Sequence, residues 1–499
     1  MFRGNNKIIL VLAGFCFLVG CASSRPFDPA RKIPKEQLQK DFQVFRHVLE
    51  EGHPSLYWYT SKDSMDHFFD LGYARITGPM TEPAFRMLLS YVISKMNCGH
   101  TSSRYSRTYS RYLDTVRMKQ FPLSIKFWGD SAVIYANLNR KDSVLRRGTL
   151  LRSINGKPIG YYRDSLFQFL SMDGHGVINK YQTLSNLGVF SGWYRNIFGL
   201  SDKFVIGYTN NRGVDGTVTI PVFDPKKDTS RSEQLANFKK IDRRERRQLM
   251  LSQSRKLEFD SSTSAAILTV NTFLRGNGLN RFIKKSFKTL RKKHTRKLVV
   301  DVRMNTGGNV DVSNLLTRFL VDHPYKIADS LYAISRTGKY GKYIQHNFFN
   351  RLSMLIISKK KADGKYHFGY FEKHYFKPKK RNHFNGSVYI ITGGNSFSAT
   401  ALFAGVMKGQ KNVVLAGEET GGGAYGNTAW VIPDVTLPYS KVRFTLPRFR
   451  LVIDKDAPKT GRGVMPDVWI DPSREMIIKG LDAKMEKVRE MISEPGLKD

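Results

Sequence analysis

The sequence predicts a multidomain α/β protein in three folded parts: a helical N-terminal domain, a β-rich middle domain and a C-terminal α/β core. Three observations predict it. Apolar residues recur at spacings of three and four as far as about residue 118. They alternate over short runs from about 121 to 223, and a strand–helix alternation sets in from about 257. The length of 499 residues exceeds what one ordinary core accommodates. An apolar content of 41% and an aromatic content of 12% suit folded protein and argue against collagen, general disorder or a disulfide scaffold.

Residues 1–21 read as a targeting segment. Arg3 and Lys7 precede an apolar run over 8–19 that is too short for a comfortable membrane span. The run ends in Leu18-Val-Gly-Cys21, followed by Ala-Ser-Ser. Small residues before a cysteine resemble a bacterial lipoprotein signal, which implies a lipidated Cys21, a body tethered to the cell envelope and a periplasmic setting. An ordinary signal peptide that contains a cysteine is the plainer alternative. Of the three cysteines, Cys16 leaves with the signal and Cys21 carries lipid, so only Cys98 is left. That count excludes an intrachain disulfide and a cysteine-built zinc site in the mature form.

The helical domain is expected over 22–118, after a polar tether to about residue 32. Leu38, Phe42, Phe45, Val48 and Leu49 form one helical stripe, and Phe85, Leu88, Leu89, Val92, Ile93 and Met96 another. Between them, His53-Pro-Ser-Leu-Tyr-Trp-Tyr59 is an aromatic turn, core by default or else a substrate-facing lip. The middle domain spans 119–223. Within it, Arg147-Gly-Thr-Leu-Leu-Arg-Ser-Ile-Asn-Gly-Lys-Pro-Ile159 sets a tight turn at Asn155-Gly156 between two short strands, with an amphipathic helix expected near 162–169. This segment resembles the middle of a PDZ-type domain, which implies peptide capture by strand addition. Residues 224–256 are polar and basic and read as a linker or a surface helix. The core, 257–499, carries strands near 266–270, 298–302, 387–391 and 413–416, alternating with helical stripes. That alternation predicts a largely parallel sheet covered on both faces, with sites at the carboxyl ends of its strands.

The formal charge of +39 is concentrated in runs at 239–247, 284–297 and 377–381. Its sign would suit nucleic acid, but zinc-finger spacing and aromatic ribonucleoprotein motifs are both missing from the sequence. For an exported protein an anionic envelope surface, such as glycolipid, is the partner this charge favours, unless the runs are only solvated faces.

Two loops leave carboxyl ends of core strands. One is Asp301-Val-Arg-Met-Asn-Thr-Gly-Gly308, whose glycines allow a sharp turn with exposed amides. The other, Thr392-Gly-Gly-Asn-Ser-Phe-Ser398, delivers two serines to the start of a helical pattern. A serine there is either an N-cap or a nucleophile mounted beneath free amides.

Four segments carry a resemblance to the tail-specific or C-terminal-processing serine peptidases and their tricorn-like relatives. They are Leu298-Val-Val-Asp-Val-Arg-Met-Asn-Thr-Gly-Gly308, Tyr389-Ile-Ile-Thr-Gly-Gly-Asn-Ser-Phe-Ser-Ala-Thr-Ala-Leu-Phe-Ala404, Gly417-Glu-Glu-Thr-Gly-Gly422 and Gly461-Arg-Gly-Val-Met-Pro-Asp467. The resemblance implies a core of the ClpP/crotonase-like type and hydrolysis of a protein or peptide substrate without cofactor or metal. It sets the nucleophile on Ser398 and the oxyanion hole on the Ala399 amide with the Gly307-Gly308 loop. One branch of the family uses a lysine where this chain has Gly423. The tricorn-like branch uses a histidine in a Gly-His-Thr turn, which maps onto His100 in Met96-Asn-Cys-Gly-His-Thr101. That branch also has an orienting glutamate where Thr460 stands, and Glu419, Asp454 and Asp456 are candidates to replace it. Cys98 lies too close in sequence to His100 for a productive Cys–His pair. The reading is therefore a lipid-anchored serine endopeptidase. A catalytically degenerate lipoprotein that binds peptide or envelope polymer is the alternative.

Overall fold

The computed structural model describes residues 27–228, 236–237 and 240–494. The signal segment with Cys21, the start of the tether and part of the 224–256 stretch lie outside the described residues.

Four helices build the N-terminal part: Lys35–Gly52, Lys62–Ala74, Glu82–Lys95 and Arg107–Thr115. Ser61 and Thr81 cap two of them, accepting the Ser64 and Ala84 amides, with Pro83 in the first turn of the second. Both predicted apolar stripes are buried. They do not close this core alone. Val435, Leu437, Val442, Phe444 and Leu446, far along the chain, pack into the same cluster, with the Phe45 and Phe444 rings 5.1 Å apart edge to face. Buried Asp41 accepts the Tyr439 and Ser440 amides at 2.9 and 2.7 Å, and strand Ser103–Arg104 pairs with Arg443–Thr445. A hairpin of the C-terminal region is thus part of the helical domain.

The middle domain is built on an antiparallel sheet in the order 123–128, 131–137, 150–154, 203–209, 215–221, with 157–158 pairing on 150–154. Asn155 (φ 48°) and Gly156 (φ 79°) make the tight turn as expected from Asn-Gly. The expected helix runs Ile159–Phe167, and two further helices, Ile178–Ser185 and Val189–Phe198, also belong to this part. Next, the basic stretch contains an exposed helix, Arg243–Ser254, capped by Asp242.

The core holds a six-stranded sheet in the order Arg255–Asp260, Ala265–Val270, Lys297–Asp301, Ser387–Thr392, Val413–Gly417, Val468–Trp469. Its first pair is antiparallel and the rest parallel. The alternation of side chains along each strand serves two layers. Leu298, Val300, Val388 and Ile390 face one cluster, which helix Leu279–Lys292 joins through Ile283, Phe287 and Leu290. Val299, Tyr389, Ile391 and Ala416 face another with Met485, Val488 and Ile492 of helix Ala483–Ser493. A second, five-stranded sheet, including Gly426–Ala429 and Phe449–Val452, stands beside it. Among the described residues no helix is long and apolar enough to cross a membrane.

Candidate active site

Strand Ser387–Thr392, buried along its whole length, runs into the serine turn, and helix Ala399–Met407 begins directly after it. The two serines differ sharply. Ser396 is fully buried; its hydroxyl donates to Val302 O at 2.9 Å and accepts the Gly393 amide. It ties the turn to the neighbouring loop. Ser398 stands at the head of the helix but does not cap it. Its backbone sits at φ 56°, ψ −121°, a region a non-glycine residue rarely adopts. The bland reading, a helix cap, is therefore removed for Ser398. The side chain instead lines a cavity of about 290 Å³ shared with Gly308, Val310, Phe371, Leu402 and Trp430. Trp430 and Val431, on the cavity wall, also have positive φ, at 54° and 41°.

The glycine loop reaches the serine from strand Lys297–Asp301. Buried Asn305 organises it, donating to Val270 O (3.0 Å), accepting the Gly307 amide (2.9 Å) and accepting the Phe397 amide through its carbonyl (3.1 Å). Gly307, at φ 95°, passes so close that a Cβ would lie 2.7 Å from Phe397 O, 2.8 Å from Ser398 Cβ and 3.1 Å from Ala399 N. Only glycine fits. The two glycines thus have different parts. The Gly307 amide is spent on Asn305, whereas Gly308 N–H and Ala399 N–H donate to no acceptor among the described residues. The expectation that Gly307 offers an oxyanion donor gives way to a steric role, because its N–H is already bound.

His100 arrives from the helical part. The hairpin at 434–446 carries it there: Thr445 Oγ1 donates to His100 O at 2.8 Å and accepts the Ser102 amide at 2.9 Å. Behind the turn, Ser55 N–H donates to His53 Nδ1 (3.2 Å), so Nε2 carries the proton and donates to Thr101 Oγ1 at 2.9 Å. Burial, reinforced by the charges of Arg450 and His100, pushes His53 down to about 3. The His100 ring packs on Phe397, the residue before Ser398, with centroids 4.7 Å apart. Both His100 ring nitrogens are buried and unpartnered, so His100 and Ser398 are not hydrogen-bonded in this conformation.

A carboxylate that the sequence reading missed stands beside His100. Asp173 Oδ1 is 3.7 Å from His100 Nδ1, with side chains 2% and 8% exposed respectively. Asp173 Oδ1 also accepts the Gly99 amide at 2.8 Å, and Oδ2 is buried without a partner. Asp173 belongs to Asp173-Gly-His-Gly176, a loop held by Gly174 N–H to Asn97 O and His175 N–H to Gly461 O. Nothing in sequence spacing connects residue 173 to residue 100. The one local signal is an aspartate in a glycine-flanked loop, which the β-rich pattern around it obscured.

The three carboxylates named from the sequence lie elsewhere. Glu419, fully buried, is held by Arg462 (2.9 and 2.6 Å) and the Gly463 amide (2.7 Å). Asp454 and Asp456 are exposed, with Asp454 accepting the Asp456 amide, and Thr460 is exposed too. At Gly423 a Cβ would lie 2.5 Å from Gly426 O, so a lysine does not fit there without moving backbone. Cys98 is buried, and burial with Asp173 nearby pushes its thiol up to about 11, far from a thiolate nucleophile. Among the described residues no group of His, Cys, Asp and Glu is spaced to hold a metal ion.

Strained serine, glycine loop and histidine turn thus converge at the carboxyl ends of the parallel strands. Residues 264–470 match the model of Peptidase family S41. The S41 match spans five of the six strands of the core sheet and both loops, and a serine peptidase acting on protein or peptide is what similarity to that family implies. No curated protein matches the sequence. Among solved structures, mature CPAF is similar at 14% identity and a TM-score of 0.62, over 93% of this chain and 99% of that one. Mature CPAF complexed with lactacystin is similar at 13% identity and a TM-score of 0.63, over 92% and 98%. Both likenesses are of fold: this chain shares the mixed α/β multidomain architecture of mature CPAF along nearly its full length.

Proposed function

We propose that the chain is a serine endopeptidase in which Ser398 is the nucleophile, His100 the general base and Asp173 its orienting carboxylate. The observation that carries the reading is the free, strained Ser398 hydroxyl at a helix start, opening on a cavity it shares with Gly308. Ser398 Oγ attacks the peptide carbonyl carbon while its proton passes to His100. The oxyanion is held by the N–H groups of Ala399 and Gly308. Collapse expels the amine, which takes the proton from His100, and water repeats the sequence on the acyl-enzyme. Closing of the His100 turn onto Ser398 precedes the first step, and catalytic hydrogen bonds commonly tighten only with substrate bound. The apolar cavity wall of Val310, Phe371, Leu402 and Trp430 favours an apolar substrate side chain. The β-rich domain serves as a PDZ-like module for capturing substrate polypeptide, and Cys21 as the lipid anchor to a bacterial envelope.

A fluorophosphonate probe tests the chemistry. Covalent labelling of the parent that disappears in Ser398→Ala is the expected result. The unpartnered His100 nitrogens favour a second reading, a peptide-binding protein that does not cut. An unlabelled but cooperatively folded parent would establish it. Fatty-acid incorporation lost in Cys21→Ser tests the anchor.

A further inference from the structure

Helix Asn347–Ile357 is turned the wrong way round for a soluble protein. Its apolar stripe faces outward. Phe348 is 72% exposed, Phe349 67%, Leu352 45%, Leu355 46% and Ile356 72%, while Met354 alone among its residues is buried. These positions follow one another at helical spacing on a single face. Five large apolar side chains in one contiguous stripe are more than scattered surface hydrophobics.

The surroundings are strongly basic. Ten of the 31 residues from 351 to 381 are Lys or Arg, against two acids, Asp363 and Glu372. Both acids are engaged: Glu372 with His367 and Lys361, each at 2.6 Å, and Asp363 with His367 at 3.0 Å. Arg351, Lys359, Lys360, Lys373, Lys377 and Lys380 are exposed and make no ion pair with any described residue. Beside the helix lies an open groove of about 510 Å³, lined by Ile356, Ile357, Tyr370 and Lys373 among others. Tyr370 and Tyr375, both more than half exposed, extend the face with amphipathic rings.

We propose that this face docks on an anionic lipid bilayer, with the apolar stripe entering the headgroup boundary and the unpaired lysines meeting lipid phosphate. An outward apolar helix face with flanking lysines and tyrosines is the chemistry of interfacial attachment. A second copy of the chain fits worse, since self-pairing would bring two such basic faces together. The face also adjoins the Ser398 cavity. Tyr370 lines the groove, and Phe371, next in sequence, lines the cavity and packs on Trp430 at 5.3 Å. Docking therefore holds the cavity near the bilayer, where it meets polypeptides presented at that surface. The docking itself stands on its own observations; only its consequence for the cavity rests on the proposed peptidase reading.

Flotation with vesicles tests it, using the chain from residue 22 onward so that neither the apolar run over 8–19 nor an acyl chain contributes. The parent should float with vesicles containing phosphatidylglycerol and poorly with phosphatidylcholine alone. Raising salt about tenfold should release it. Phe348→Ser/Phe349→Ser/Ile356→Ser should weaken binding by about tenfold or more, with an unchanged melting temperature because the three side chains lie outside the core. Lys359→Gln/Lys360→Gln/Lys373→Gln should weaken it and flatten the salt response. Binding by the apolar variant equal to that of the parent overturns the proposal. So does equal, salt-insensitive parental binding to both vesicle types. A parent dimer that the apolar variant abolishes, without vesicle binding by the parent, assigns the face to a second copy and likewise overturns it.

Discussion

Replacing Gly307 with alanine puts the closest contact of the site under load. Two costs add. The backbone is at φ 95°, where a Cβ costs about 1–2 kcal/mol. The new methyl would also sit 2.8 Å from Ser398 Cβ and 2.7 Å from Phe397 O. Carbon pairs settle near 3.5–4.0 Å, so the serine loop must retreat by roughly 0.7 Å, at about 1–3 kcal/mol. Gly276 isolates the second cost. It lies in the same domain at φ 91°, exposed, with nothing within 4 Å of a Cβ. Gly276→Ala should therefore lose about 1–2 kcal/mol and Gly307→Ala about 2–5 kcal/mol in denaturant unfolding. Fluorophosphonate labelling separates them further. The retreat shifts Ser398 and the Ala399 amide from Gly308, so Gly307→Ala should label about a hundredfold more slowly or worse, and Gly276→Ala near the parental rate. Equal labelling of the two variants would refute the reasoning.

Asp173→Asn should slow labelling of Ser398 by about 10²–10⁴-fold with little change in melting temperature, whereas Glu419→Gln should cost about 1–3 kcal/mol of stability through the lost Arg462 pair; the reverse pattern would show that Glu419 orients the site. His53 is held neutral to about pH 3 in the folded chain but titrates near 6.5 when unfolded. The unfolded state therefore binds the extra proton, and stability falls as pH drops from about 6.5 toward 3, by up to roughly 4–5 kcal/mol. Urea unfolding between pH 7 and about 4 should show a slope shallower by one proton in His53→Gln, and parallel slopes would exclude the buried imidazole as its source. Cys98 should resist iodoacetamide near pH 8 in the folded chain and react once unfolded, since its thiol is buried and pushed up to about 11; rapid alkylation of folded protein would contradict that burial.

Local pattern carried much of this protein. Apolar periodicity located the helices at 35–52 and 82–95, and the buried run at 387–391 located the central strand, because side-chain spacing is set by backbone geometry within one element. The Asn155-Gly156 turn was equally local, since only such residues accept two successive positive φ values. The loops at 301–308 and 392–398 could be placed at strand ends for the same reason. What tertiary structure decided was every relation between distant segments. It separated Ser396 from Ser398 by giving one a carbonyl partner, Val302 O, and the other a cavity. It assigned Gly307 to space and Gly308 to a free amide through Asn305, and it drew the 434–446 hairpin into the helical domain so that Thr445 carries His100 to the serine turn. Asp173 came from a third part of the chain, and helix Asn347–Ile357 faced outward although its periodicity would have suited a core equally well. Periodicity reports which residues share a face. What that face meets depends on long-range packing, which no local spacing encodes.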